Sequence, residues 1–99
     1  MRRNFWLEPI ARKDLQQILR YIGLDNMTAS EKMRELFYDA FRKLGDNPHI
    51  GHERGDLTGK PVRFWPVHRS YMIVYDAQTN PVIILRIYNG ARDIASVLH

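Results

Sequence analysis

Residues 62–90, VRFWPVHRSYMIVYDAQTNPVIILRIYNG, decide the fold. Val62 to Val67, Tyr71 to Asp76 and Val82 to Tyr88 are dense in β-branched and aromatic side chains, which pack well on a pleated surface. The joining pieces, His68-Arg69-Ser70 and Ala77 to Pro81, are short enough for hairpins, so the three strands read as an antiparallel meander. Val82-Ile83-Ile84-Leu85 is apolar at every position, as a central strand covered on both faces requires. Asn89-Gly90 then breaks the strand.

Upstream of this block the period changes. Phe5-Trp6-Leu7 reads as a first strand, and Pro9 suits the first turn of a helix, where its missing N–H costs nothing. Ala11, Leu15, Ile18 and Ile22 then recur at the spacing of one buried helical face, with Arg12, Lys13, Gln16, Gln17 and Arg20 on the other side. Gly23 reads as the stop. Thr28-Ala29-Ser30-Glu31 has the pattern of a capping box and opens a second helix with the stripe Met33, Leu36, Phe37, Ala40, Phe41 and Leu44. Gly45 and Pro48 end it. About five residues then separate the helices, which predicts an antiparallel hairpin. Downstream, Ala91, Ile94, Val97 and Leu98 are spaced for a short C-terminal helix. The expectation is an α+β fold: N-terminal strand, antiparallel helical hairpin on one face of a sheet, three-stranded antiparallel meander and short C-terminal helix.

Composition bounds the chemistry. The 99 residues make one domain, and 44% apolar with 26% charged residues is a globular balance. No apolar run approaches the ~20 residues of a bilayer-crossing helix, and the N-terminus lacks the apolar stretch of a signal peptide. A cytoplasmic protein without membrane association is expected. The absence of cysteine excludes disulfides, thiolate zinc sites and cysteine nucleophiles together. Net charge is +4, and arginine supplies 11 of the 15 cations. Arginine makes planar bidentate contacts to carboxylates and phosphates, so an acidic protein or a nucleic acid is the indicated partner. A solubilising surface is the plainer reading.

Catalytic constellations are few. His49-Ile50-Gly51-His52-Glu53 has two imidazoles and a carboxylate, but lies in a glycine-containing loop without a fourth ligand, so neither a metal nor a cofactor is expected. Ser30, Ser70 and Ser96 have no nucleophile-elbow context, and Thr58-Gly59-Lys60 lacks the glycine-spaced start of a phosphate loop. What stands out is a set of arginines and aromatics on or beside the strands: Arg63, Phe64, Trp65, Arg69, Tyr71, Tyr75, Arg86, Tyr88 and Arg92. Alternation places Arg86 and Tyr88 on one face of the last strand, with Ile87 opposite. Such groups grip RNA by stacking and charge, or anchor a protein interface. Phe64, Tyr71 and Tyr75 equally suit the core, with the arginines solvated.

Four groups of residues resemble the ParE-type toxins of bacterial type II toxin–antitoxin modules, within the RelE/ParE superfamily. They are Leu7-Glu8-Pro9-Ile10-Ala11 with Asp14-Leu15, Ile18 and Tyr21-Ile22; Pro48-His49-Ile50-Gly51 with Arg54 and Asp56-Leu57; Arg63 with Tyr71, Ile73 and Tyr75; and Gly90-Ala91-Arg92-Asp93. The resemblance runs over nearly the whole chain, in the family's order. Glu8 replaces the usual serine or threonine before the proline, and Asn89 stands where the family often has histidine.

The resemblance implies a RelE/ParE-like fold and a toxin that inhibits DNA gyrase by binding rather than by catalysis. It also implies neutralisation by an acidic, ParD-like antitoxin, through which alone the toxin meets operator DNA. RelE-like relatives instead cut messenger RNA on the ribosome, which needs groups for proton transfer and for the developing phosphorane charge. Asn89 cannot be a general base and the meander strands carry no lysine, so no catalytic residue is assigned. The expected target surface is Arg86, Tyr88, Arg92, Ile94, Val97 and Leu98. The expected antitoxin contacts are Arg63, Trp65 and Arg69.

Overall fold

A computed structural model of the chain describes residues 4–55 and 59–90. The strands are β1 (Phe5–Leu7), β2 (His52–Glu53), β3 (Arg63–Val67), β4 (Tyr71–Asp76) and β5 (Val82–Asn89). The helices are α1 (Pro9–Asp25) and α2 (Met27–Asp46), followed by a single 3-10 turn at Pro48–Ile50. The meander β3–β4–β5 is antiparallel as its composition predicts, but it belongs to a larger sheet of order β1-β5-β4-β3-β2. β1 lies parallel to β5, pairing Phe5 with Val82 and Leu7 with Ile84, which makes β5 an internal strand. The two-residue β2 pairs with β3. Its sequence, His-Glu, carries no strand signal, and only the neighbouring β3 makes it one.

The joint between the helices differs from the sequence expectation. α1 continues through Gly23 to Asp25, and α2 begins at Met27, so Asn26 alone turns the chain. The Asn26 side chain accepts a hydrogen bond from the Ala29 N–H at 3.0 Å, capping α2 before Thr28 can. Ser30, freed from capping, donates its hydroxyl to the Leu19 carbonyl at 2.7 Å and ties the two helices together. Gly23 sits where they approach: a Cβ there would come within 3.2 Å of Met27 Sδ and 3.7 Å of Ser30. Gly45 is likewise inside α2, because a Cβ would lie 2.4 Å from the Asn4 side chain. Both glycines mark close contacts rather than helix ends.

The main core lies between the helices and the sheet. Phe5, Leu7, Val82, Ile84 and Ile87 of the sheet meet Ala11, Leu15, Phe37, Phe41 and Leu44 of the helices. Aromatic rings run through it, with Phe5–Phe41 and Phe37–Tyr71 centroids each 5.5 Å apart. Leu36, expected in the α2 stripe, is largely exposed, and Met33 is only partly buried. A smaller cluster of Val62, Phe64, Val74 and Tyr88, with Met72 and Leu85 beside it, fills a second core. The two clusters are kept apart by a bulge in β5. Val74 pairs with Arg86 while Tyr75 pairs with Ile84, leaving Leu85 as the extra residue. The bulge shifts the alternation by one, so Ile84 and Ile87 both enter the main core. The expected C-terminal helix lies outside the described residues.

Candidate functional site

The bulge also delivers Arg86 and Tyr88 together, as the alternation of the strand predicts. The Arg86 guanidinium lies 4.9 Å from the Tyr88 ring centroid, a cation–π contact. Neither group is held out to solvent. Arg86 Nε and Nη2 donate to the two carboxylate oxygens of Asp14 on α1, at 2.8 and 3.2 Å. The same carboxylate accepts the Ile87 backbone N–H at 3.0 Å. Asp14 thus fastens the first helix to the bulged strand. Its hydrogen bond, more than its field, raises the Arg86 pKa and keeps the guanidinium charged. Sequence reading left Asp14 in a motif without a role. The available signal was a lone carboxylate on α1 among arginines and a lysine.

Tyr88 is 5% exposed, and its hydroxyl has no hydrogen-bond partner among the described residues. Burial pushes its pKa up, opposed by the positive charge of Arg86. A buried phenol with a raised pKa stays protonated at neutral pH and transfers protons poorly. The remaining expected target residues, Arg92, Ile94, Val97 and Leu98, lie outside the described residues.

The expected antitoxin residues divide. Arg63 is an internal anchor: Nη1 donates to the Gly51 carbonyl at 2.8 Å and to the His49 carbonyl at 3.3 Å, and Nη2 lies 3.5 Å from Glu53. Beside it the Tyr75 hydroxyl donates to the Pro48 carbonyl at 2.6 Å and accepts the Gly51 N–H at 2.9 Å. A Cβ at residue 51 would lie 2.4 Å from Tyr75 Oη, so only glycine admits this approach. Pro48-His49-Ile50-Gly51, Arg63 and Tyr75 therefore form one knot joining the 3-10 turn to the sheet. The histidines of that segment serve no metal cluster: among the described residues no three metal-ligating side chains gather.

Trp65 and Arg69 are more accessible. Trp65 is half-buried, with Lys43 Nζ 5.1 Å from its ring, and Arg69 is exposed in the β3–β4 turn. β2 covers β3 only at Arg63 and Phe64, so Trp65 to Val67 have no strand on their outer side among the described residues. This half-edge is where an extended partner segment fits a sheet.

Comparison with known families gives one match. The model of the ParE toxin of type II toxin–antitoxin systems, parDE, matches residues 7–94. No curated protein matches the chain.

Proposed function

The chain belongs to the ParE toxins of type II toxin–antitoxin systems, and from that premise we propose that it inhibits DNA gyrase by binding. The membership implies an antitoxin partner, and the basic charge favours an acidic one, of ParD-like type. No helix among the described residues is long and apolar enough to cross a membrane, consistent with action in the cytoplasm. The observation that carries the binding reading is Tyr88. Its hydroxyl is buried and held protonated, and Arg86 beside it is committed to Asp14. Groups so placed shape a surface better than they steer a 2′-hydroxyl onto phosphate. The target surface is the end of the chain that follows β5, with Arg92, Ile94, Val97 and Leu98 as contacts and Arg86 and Tyr88 setting its base. The antitoxin covers the β3 half-edge at Trp65 and Arg69, with Arg63 holding that strand in place.

Tyr88→Phe separates binding from cleavage. A gyrase binder keeps its growth inhibition in this variant, whereas a nuclease using the phenol loses on the order of 10²-fold or more in rate. Ribosome-bound transcripts cut by the wild type and spared by Tyr88→Phe overturn the proposal.

A further inference from the structure

The outer surface of α1 is cationic without relief. Between Pro9 and Leu24 its one carboxylate is Asp14, and that group is turned inward onto Arg86. Arg12, Lys13 and Arg20 are exposed, and neither Arg12 nor Arg34 of α2 makes an ion pair among the described residues. Two recesses meet at Arg12 and Gln16. One, of about 320 Å³, is walled by Trp6 and Pro9. The other, of about 250 Å³, is floored by Leu7, Leu15 and Leu19, with Arg12, Arg34 and Tyr38 around it. Trp6 and Ile10 beside them are each 48% exposed.

We propose that this groove, from Trp6 across Arg12 to Tyr38, docks an acidic peptide segment carrying interspersed apolar side chains. Charge selects an anion, because no carboxylate lines either recess. Ring geometry selects a peptide over a polynucleotide. The Arg12 guanidinium sits 5.6 Å from the Trp6 ring centroid and that of Arg34 sits 4.9 Å from Tyr38. Each ring thus has a cation on one face, which obstructs the stacking of a base there, while the guanidinium edges remain free for carboxylates. The leucine floor takes aliphatic side chains. An apolar side chain with a carboxylate on either side would fill the recess that Arg12 and Arg34 flank. The surface is separate from the β3 half-edge, and testing it needs neither the antitoxin nor gyrase.

The test uses the full chain with Trp65→Phe, which leaves Trp6 as the sole indole. The probe is a synthetic amphipathic peptide of glutamate and leucine; the controls are its glutamine counterpart and an oligothymidylate. The expected result is a saturable change in Trp6 emission with the glutamate peptide, weakened by salt and absent with the glutamine peptide. Arg12→Glu with Arg34→Glu should weaken binding on the order of tenfold or more. Both positions are exposed, and circular dichroism checks the fold; Arg12→Gln with Arg34→Gln provides a milder second variant. Glutamate-peptide affinity unchanged in both folded double variants overturns the proposal, as does oligothymidylate binding in place of the peptide.

Discussion

Tyr75 and Tyr88 are both buried phenols, and the structure gives them opposite energetic roles. The Tyr75 hydroxyl satisfies the Gly51 N–H and the Pro48 carbonyl, so Tyr75→Phe strands two polar groups and should cost about 1–3 kcal/mol in chemical denaturation. The Tyr88 hydroxyl satisfies nothing among the described residues, so Tyr88→Phe should be neutral or slightly stabilising. A large loss in Tyr88→Phe would contradict this assignment. Burial also gives Tyr75 a pH dependence: it raises the pKa above 10.0, against the smaller opposing effects of the Gly51 hydrogen bond and the Arg63 charge. The folded chain therefore keeps a proton that the unfolded chain loses. The associated stability is complete below about pH 10 and is lost as pH rises through the folded-state value. Denaturation midpoints should fall between about pH 9 and pH 11, and more shallowly in Tyr75→Phe.

The elements show what periodicity reveals and where it stops. β1, both helices and the β3–β4–β5 meander are legible because each buries one face with a regular period, as Ala11, Leu15 and Phe37, Phe41, Leu44 illustrate. Contacts between elements are less legible. Gly23 and Gly45 read as stops because glycine often ends helices, yet here each admits a neighbour, and only tertiary proximity distinguishes the cases. β2 and the parallel place of β1 are invisible for the same reason, since pairing partners leave no local pattern. At the site, Arg86 beside Tyr88 followed from alternation, while the Asp14 clamp and the internal role of Arg63 required the packed molecule. Gly23→Ala tests the reading of the joint. Its new methyl meets the movable Met27 side chain, and alanine gains about 0.8–1 kcal/mol of helix propensity over glycine. The variant should be more stable in thermal melts by up to that amount. A left-handed stop at this position would make the same change destabilising.

For the whole molecule, three clasps hold helices, turn and sheet in one arrangement: Asp14 on Arg86 and Ile87, Ser30 on Leu19, and Tyr75 with Arg63 on the 3-10 turn. They leave the accessible arginine and tryptophan groups at the rim: Trp6 with Arg12 at one side, Trp65 with Arg69 at the other. A toxin built this way has surfaces for partners and no exposed proton-transfer pair at Arg86 and Tyr88. The central claim, inhibition of gyrase by binding, is tested most directly by adding the purified chain to a gyrase supercoiling reaction. The account predicts that supercoiling stops and cleaved DNA accumulates, that the acidic antitoxin reverses both, and that Tyr88→Phe inhibits like the wild type. Undiminished supercoiling in the presence of the folded chain would contradict it.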